Sequence, residues 1–161
     1  VEDGFPIFFI QKRTGWDGRS FNIFKLRSLS KSASSKFKQV IGNDKRVLKI
    51  GRIIRRLSID ELPQFYNVLK GDMSIVGPRP HPEDLTKYST KEIRNFMQRH
   101  KCLPGITGWA QVHGLRGPTA ESGLMNKRVQ HDLYYIKNWN LMLDLYILIK
   151  TIFVVLFQKV D

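Results

Sequence analysis

The segment 58–80, SIDELPQFYNVLKGDMSIVGPRP, constrains the fold most because it joins two adjacent carboxylates to proline-rich breaks. Ser58 and Glu61 have the spacing of a capping box, in which each side chain satisfies one free amide at the start of a helix. Pro63 is tolerated only in a first turn, so the helix could equally begin at Asp60. Either start places both acids at the positive end of the helix dipole, where phosphate and metal also bind. The alternative is that the acids only cap the helix.

The end of this segment, Gly77-Pro78-Arg79-Pro80, predicts a rigid turn. Because proline fixes its own φ angle, the two prolines restrict the direction of the Arg79 side chain. A guanidinium held in this way suits bidentate binding of a phosphate group. A surface turn with a solvated arginine explains the same residues, and the segment alone does not separate these interpretations.

The net charge of +13 over 161 residues is concentrated in the first third of the chain. Residues 1–57 contain 14 basic and 4 acidic side chains, which gives +10 of the total. A localised charge of this size indicates a surface that meets polyanions: nucleic acid, anionic lipid or phosphorylated substrates. The apolar fraction of 42% is typical of a folded chain, and the length predicts one domain over residues 1–161. With Cys102 as its one cysteine, the chain has no intrachain disulfide.

Two apolar segments, 6–10 and 20–29, are separated by glycines and predict a β-hairpin. Lys25 and Arg27 point to the same face of the second strand, since side chains two residues apart share a face. Taken alone, they favour a solvated strand face. The Ser- and Lys-rich segment 30–43 predicts a mobile loop.

Residues 46–57 predict a basic amphipathic helix, with isoleucines and leucine on one side. The opposite side carries Lys49, Arg52, Arg55 and Arg56. Such a helix packs on the core, lies on an anionic membrane or presents arginines to a phosphate site. Because it leads directly into Asp60 and Glu61, basic groups and acids converge here.

Two later segments leave alternatives open. The segment 103–117, LPGITGWAQVHGLRG, has no clean period and is either a binding loop or an ordinary loop; its polar and aromatic residues include Trp109, Gln111, His113 and Arg116. Residues 141–157 are mostly apolar but contain Asp144 and Lys150, so we expect a helix that does not span a membrane. That helix is either buried by other protein or sunk in a bilayer interface.

Four motifs in order resemble the bacterial sugar transferases, also called monotopic phosphoglycosyl transferases. The motifs are PIFFIQKRTGWDGRSFNIFKLRSL, RRLSIDELPQFYNVLKGDMSIVGPRP, LPGITGWAQVHGLRG and VQHDLYYIKNWNLMLDLYILIKTI, and together they cover nearly the whole chain. The resemblance is nearest to the undecaprenyl-phosphate hexose-1-phosphate transferases. It implies a mixed α/β catalytic domain, predominantly helical with a small β-hairpin, that is monotopic on the cytoplasmic face of the bacterial inner membrane.

The activity implied by the resemblance is transfer of a hexose-1-phosphate from a UDP-sugar to undecaprenyl phosphate with release of UMP. Asp60 is then the nucleophile that forms an aspartyl phosphosugar intermediate, and Glu61, with Asp60, binds Mg²⁺. The implied phosphate contacts are Lys25, Arg27, Arg55, Arg56 and Arg79, with Asp132 of the HDLYY sequence supporting the metal or the basic groups. A dianionic acceptor that approaches a diphosphate needs this charge neutralised, which a metal and arginines provide.

The hydrophobic N-terminal re-entrant helix usual in this family is missing from the sequence, so we expect a C-terminal catalytic domain without its membrane segment. Two other classes compete with this interpretation. The basic first third also suits a nucleic-acid-binding module, although no DNA- or RNA-reading motif is present and we expect no nucleic-acid partner. The apolar and basic helices also suit a catalytically silent fragment that binds an anionic membrane surface. The sequence carries no signal for the oligomeric state.

Overall fold

The chain forms a small sheet, a parallel strand pair and six helices in the computed structural model, which describes residues 3–30, 40, 44–117 and 123–157. The strands are β1 (Phe8–Thr14), β2 (Ser20–Leu26), β3 (Ser74–Val76), β4 (His81–Pro82) and β5 (Gly105–Thr107). The helices are α1 (Lys49–Arg56), α2 (Gln64–Leu69), α3 (Glu83–Glu92), α4 (Trp109–Val112), α5 (Leu124–Asn138) and α6 (Leu141–Phe157). Short 3-10 segments cover Trp16–Gly18, Ile59–Glu61 and Phe96–Lys101. The predicted fold class, mixed α/β with mostly helices and a hairpin, is confirmed.

The predicted hairpin is present, with β1 and β2 antiparallel from the Phe8–Leu26 pair to the Thr14–Ser20 pair. On its other side β1 pairs with the short β4, where Thr14 lies opposite His81. Since β4 directly follows the Gly-Pro-Arg-Pro turn, this pairing brings that turn to the end of the hairpin. Most of the predicted 30–43 loop, residues 31–39 and 41–43, lies outside the described residues.

Asn67 attaches α2 to the free edge of β2. Its Oδ1 accepts a hydrogen bond from the Phe24 amide at 3.1 Å, and its Nδ2 donates to the Asn22 carbonyl at 2.8 Å. The side chain is fully buried. One asparagine therefore satisfies two backbone groups of an edge strand and fixes the distance between the hairpin and the segment that precedes α2.

The parallel pair β3 and β5 carries the Gly-Pro-Arg-Pro turn at its end. Val76 lies opposite Thr107, and the Gly77 amide donates to the Thr107 carbonyl at 2.9 Å. The two backbones come so close that a Cβ atom on Gly105 would lie 2.1 Å from the Gly77 nitrogen. Glycine is therefore required at this contact. The predicted irregular segment 103–117 is thus partly regular, because β5 and α4 lie within it.

Helix α1 confirms the predicted helix but does not bury its apolar side. It packs through Gly51, where a Cβ atom would lie 2.2 Å from the Ser28 carbonyl oxygen. Ile50, Ile53 and Leu57 remain 51%, 58% and 44% exposed. The apolar face therefore points to solvent, together with the exposed Lys49, Arg52 and Arg56.

Helices α5 and α6 form a core with β3 and α4. Its buried residues are Val76, Val112, Tyr135 and Ile147. The carboxylate of Asp144 accepts hydrogen bonds from the Tyr135 hydroxyl at 2.8 Å and the Trp139 indole at 3.1 Å, which explains a charge inside an apolar helix. Much of the remaining α6 surface is exposed and apolar. Within the described ranges, no helix combines the length and apolar character needed to cross a bilayer.

The capping box predicted at Ser58 and Glu61 is wrong, as is the alternative helix start at Asp60. Ser58 has a left-handed backbone with φ of 56°, and its side chain caps no helix. Ile59–Glu61 is a 3-10 turn, and α2 begins only at Gln64. Both capping side chains have other partners: Ser58 Oγ accepts a hydrogen bond from Arg116 at 2.8 Å, and Glu61 binds cations described below. Tertiary charge pairing has displaced the local motif.

Two buried histidines flank the Phe96 ring in a second core region. The ring centroids lie 6.3 Å from His81 and 5.7 Å from His100. Burial, reinforced by the charge of Arg99, lowers the pKa of His100 to about 4 and that of His81 well below its usual range. Both imidazoles are therefore neutral in the folded chain at neutral pH.

We expect these histidines to make the protein sensitive to acid. The unfolded chain binds their protons near pH 6.5 and the folded chain only near pH 4 for His100, so stability falls as pH falls through this window. His100→Gln should reduce the slope of the free energy of unfolding against pH by up to about 1.4 kcal/mol per pH unit. Urea titrations between pH 4 and 7 measure this slope. His113→Gln, at an exposed position, is the control, and an unchanged slope in His100→Gln would contradict the prediction.

Candidate active site

The carboxylate of Glu61 is the centre of a buried charge cluster. Arg79 binds it with both terminal guanidinium nitrogens: Nη1 lies 3.0 Å from Oε2, and Nη2 makes a shorter contact with Oε1. Lys25 Nζ donates to Oε1 at 3.1 Å, and Arg116 Nη2 lies 3.6 Å from the same oxygen. Three cations therefore share one carboxylate that is 6% exposed.

Each member of this cluster comes from a different part of the fold. Lys25 lies near the end of β2, and Arg79 lies in the turn between β3 and β4. Arg116 follows α4, whereas Glu61 ends the 3-10 turn before α2. The left-handed Ser58 redirects the chain after α1 so that this 3-10 turn faces inward. Charges that are distant in sequence therefore meet at one point.

The cations determine the charge state of Glu61. Burial alone would raise the pKa of Glu61, but Arg79 and Lys25 outweigh burial and hold it well below its usual range. Burial also lowers the pKa of Lys25 to about 8. The negative charge of Glu61 limits this fall, and the positive charge of Arg79 adds to it. Glu61 is therefore ionised at neutral pH, and the cluster carries a net positive charge.

Asp60 differs from its neighbour although it is equally buried at 6% exposure. Among the described residues, none forms a hydrogen bond or ion pair with its carboxylate. Burial, and next the charge of Glu61, raise the pKa of Asp60, while Lys25, Arg55 and Arg79 act in the opposite direction. Asp60 is thus an unpaired and comparatively basic carboxylate beside a cationic cluster, which suits a nucleophile.

The structure brings some of the predicted phosphate contacts to the acids and separates others. Lys25 and Arg79 contact Glu61, and Arg55 is close enough for its charge to act on Asp60. Arg56 is exposed at the end of α1. Arg27 follows β2 and does not share the surroundings of Lys25, because it binds Asp3 at 2.6 Å and the Pro6 carbonyl at 2.7 Å.

Asp132 is buried in α5, where it pairs with Arg99 rather than with the cluster at Glu61. Arg116, by contrast, belongs to the cluster but was not among the predicted site residues. Its only sequence signal was an arginine at the end of the glycine-rich segment 103–117, which has no period to show where its side chains point.

The acids fit a magnesium site of the kind that is completed by substrate phosphates. The described residues contain no group of three or more His, Cys, Asp or Glu side chains that could hold a metal ion. Mg²⁺ is commonly bound by one or two carboxylates together with phosphate oxygens and water. In the part of the chain that the structure describes, Asp60 has both oxygens unpaired, whereas Glu61 Oε1 accepts from Lys25 and Arg79, and Glu61 Oε2 accepts from Arg79 Nη1 alone. The fit is therefore mainly through Asp60, with Glu61 Oε2 as the second oxygen.

The fold and the site together define an α/β protein with a buried aspartate and glutamate pair beside partly buried cations. The family model described as bacterial sugar transferase matches residues 1–158, so the chain belongs to this family. The family resemblance noted in the sequence is thereby confirmed.

Named relatives agree with this assignment. Over 156 residues, 96% of the chain, it is 49% identical to the UDP-glucose:undecaprenyl-phosphate glucose-1-phosphate transferase of Xanthomonas campestris pv. campestris. It is 44% identical over 153 residues, 94% of its length, to the UDP-N-acetylgalactosamine-undecaprenyl-phosphate N-acetylgalactosaminephosphotransferase of Aeromonas hydrophila. The chain spans about a third of these two relatives, 32% and 36% of their lengths. It spans 69% of an uncharacterised sugar transferase of Bacillus subtilis (strain 168), with 45% identity over 150 residues, 92% of the chain.

The two acids should affect stability in opposite directions. Glu61→Gln removes the counter-ion of three partly buried cations and is expected to lower the free energy of unfolding by about 3 kcal/mol. Because the folded pKa of Asp60 is raised, ionised Asp60 destabilises the fold at pH 7, and Asp60→Asn is expected to raise stability. Urea denaturation at pH 7 measures both changes. Asp17→Asn, on an exposed turn, is the isosteric control, and equal losses at both acids would show that the acids are equivalent.

Proposed function

We propose that this chain is the catalytic part of a phosphoglycosyl transferase. It moves a hexose-1-phosphate from a UDP-sugar to undecaprenyl phosphate and releases UMP, which begins exopolysaccharide, O-antigen or capsule synthesis. The observation that carries the proposal is the buried, unpaired Asp60 beside the cations held by Glu61. The relatives from Xanthomonas campestris and Aeromonas hydrophila, which are named as undecaprenyl-phosphate transferases, support the same chemistry.

The cationic cluster supplies the electrostatic part of the reaction. Both substrates are anions, so charge must be neutralised before an oxygen atom can approach phosphorus. Lys25, Arg79 and Arg116 are already assembled around Glu61 and need little reorganisation when a diphosphate binds. Arg79 suits this role because a guanidinium has five N–H donors, so N–H groups remain for a phosphate after the two bonds to Glu61.

In the first step, an oxygen of the Asp60 carboxylate attacks the phosphorus that bears the sugar. A bond forms between that oxygen and phosphorus, and the bond from phosphorus to the bridging oxygen of the diphosphate breaks. The electron pair leaves with UMP, and the sugar phosphate remains on Asp60 as an acyl phosphate. The raised pKa of Asp60 makes its carboxylate a stronger nucleophile than an ordinary aspartate.

In the second step, a phosphate oxygen of undecaprenyl phosphate attacks the same phosphorus. The bond to Asp60 breaks, which restores the carboxylate and yields the lipid-linked sugar diphosphate. Two steps spare the protein from holding both phosphorylated substrates together at one phosphorus. Arg79 and Lys25 serve both steps, since the phosphoryl group that is transferred lies at the same place in each.

Magnesium is the proposed cofactor, held through Asp60 and Glu61 Oε2. When bound, Mg²⁺ would neutralise charge on the diphosphate. The side chains of Lys25, Arg79 and Arg116 orient the phosphate groups beside it.

The proposed location is the cytoplasmic face of the bacterial inner membrane, where the protein lies on an anionic lipid surface. The exposed apolar face of α1, Ile50, Ile53 and Leu57, supports this proposal because exposed Lys49, Arg52 and Arg56 accompany it. Apolar insertion and attraction to anionic headgroups add in such a helix. Helix α6 adds exposed apolar side chains, among them Phe153 at 58% and Phe157 at 78%.

The covalent step predicts that sugar label can be trapped on Asp60. Wild-type protein incubated with Mg²⁺ and UDP-glucose labelled in the sugar, without the lipid acceptor, should retain label after denaturation. Asp60→Asn should retain none, and turnover by Asp60→Ala should fall at least about a thousandfold. Autoradiography of the denatured protein and assay of released UMP provide the two measurements. Asp17→Asn is the control, and label on Asp60→Asn would disprove the nucleophile assignment.

The membrane proposal predicts that α1 contributes directly to vesicle binding. Ile53→Glu should weaken binding to vesicles of phosphatidylglycerol and phosphatidylethanolamine about tenfold, because it replaces an apolar contact with the bilayer by an anion. Co-sedimentation at two salt concentrations measures this, with weaker binding expected at the higher one. Tyr88→Glu, at a 65% exposed position on α3, is the matched control. If both variants lost binding equally, net charge rather than α1 would be responsible.

A further inference from the structure

The turn that carries Arg79 is held in part by side chains, because its prolines interrupt backbone pairing. Three successive carbonyl groups, those of Pro78, Arg79 and Pro80, each accept a hydrogen bond. Their donors, in order, are the Gly105 amide at 2.9 Å, Arg99 Nη2 at 2.8 Å and Arg13 Nη1 at 3.1 Å. Because the prolines lack an N–H group, the turn cannot extend a strand ladder through them. Its shape therefore depends on two arginine side chains.

Arg99 links this turn to helix α5. Its Nε donates to Asp132 Oδ2 at 2.9 Å, and its Nη2 lies 2.6 Å from the same oxygen. Both residues are 2% exposed. A buried guanidinium requires a counter-ion, and Asp132 supplies it. The planar fork of Arg99 thus joins a fixed carboxylate on one side to the Arg79 carbonyl on the other.

The same helix supports the second arginine at Glu61. Arg128 lies one turn before Asp132 in α5, is 6% exposed, and donates from Nη2 to the Gly117 carbonyl at 2.7 Å. Gly117 directly follows Arg116 in the chain. One face of α5 therefore holds the backbone at both Arg79 and Arg116, although neither Arg99 nor Arg128 pairs with Glu61.

We propose that Arg99, fixed by Asp132, is a positioning residue for Arg79. It acts through the backbone carbonyl of Arg79 and sets where the Arg79 guanidinium meets Glu61 and the transferred phosphate. The catalytic consequence rests on the proposed function. Displacements of about 1 Å in groups that orient a substrate can cost about a hundredfold in rate, so a residue remote from the reacting atoms still controls turnover.

A double-mutant cycle between Arg99 and Arg79 tests this role. Arg99→Lys keeps the charge beside Asp132 but loses the planar fork, and kcat/KM for UDP-glucose should fall about 10- to 100-fold. In an Arg79→Lys background, the same substitution should cost less than about threefold, because the guanidinium to be positioned is gone. Additive losses, or an Arg99→Lys variant within about twofold of wild type, would overturn the proposal.

Two controls separate positioning from general loosening of the fold. Val129→Ala removes buried packing one turn before Asp132 in α5 and touches none of the arginine hydrogen bonds. Arg94→Lys makes the same chemical change at an exposed site. Both should leave kcat/KM near the wild-type value and combine additively with Arg79→Lys. A loss in Val129→Ala that disappears in the Arg79→Lys background would overturn the proposal.

A second variant avoids the risk that Arg99→Lys fails to fold. Arg99→Met combined with Asp132→Leu replaces the buried ion pair by apolar side chains, an exchange that proteins commonly tolerate. This double variant should unfold at a temperature close to that of wild type and still lose about 10- to 100-fold in kcat/KM. Full activity in the folded double variant would overturn the positioning role.

Hydrogen exchange distinguishes failure of this proposal from failure of the proposed function. The amide proton of His81 reports on this turn, since His81 directly follows Pro80 and lies opposite Thr14 in the pairing of β4 with β1. Its exchange should become at least about tenfold faster in Arg99→Lys and stay unchanged in Arg94→Lys. Unchanged exchange in Arg99→Lys would overturn the positioning role, whatever the substrate. Faster exchange in Arg99→Lys, found together with a wild-type protein that releases no UMP, would support positioning and count against the proposed function.

Discussion

The shared carboxylate of Glu61 is the interaction on which the arrangement of this site depends. Lys25, Arg79 and Arg116 come from a strand, a turn and a loop, and without a common anion their mutual repulsion would separate them. Their attraction to Glu61 also overrides the local preference of Ser58 and Glu61 for a capping box, which does not form. The two acids consequently have unequal environments: Glu61 holds the cations together, and Asp60 remains unpaired with a raised pKa.

Patterns within a few residues of one another made much of the fold predictable. The hairpin and helix α1 follow from alternation and helical periodicity, and both are present close to their predicted positions. The capping box failed because its two side chains were judged by local spacing, whereas partners 36 and 58 residues away in sequence, Lys25 and Arg116, decide their hydrogen bonds. The predicted start of α2 was wrong for the same reason.

Site residues were predictable where they lie in motifs shared with the family. Contacts between residues that are distant in sequence were less predictable. Asp60, Glu61, Lys25 and Arg79 do meet, but Arg27 follows the end of β2 and pairs with Asp3 instead. Arg116 was placed in a possible binding loop but not linked to the acids, because its segment has no period to show where its side chains point. The pairing of Asp132 with Arg99 joins residues 33 positions apart and has no local signature, so only the packed structure reveals it. The roles assigned to these residues in catalysis stay predictions.

The contact of Gly77 with Gly105 has a consequence for how this site can vary among related sequences. Here two segments of the chain touch backbone to backbone, so their separation does not depend on the volume of any side chain. A side chain at either glycine would therefore push the two segments apart and displace the turn that carries Arg79. The contact works as a fixed spacer between the core at Val76 and the turn that carries Arg79.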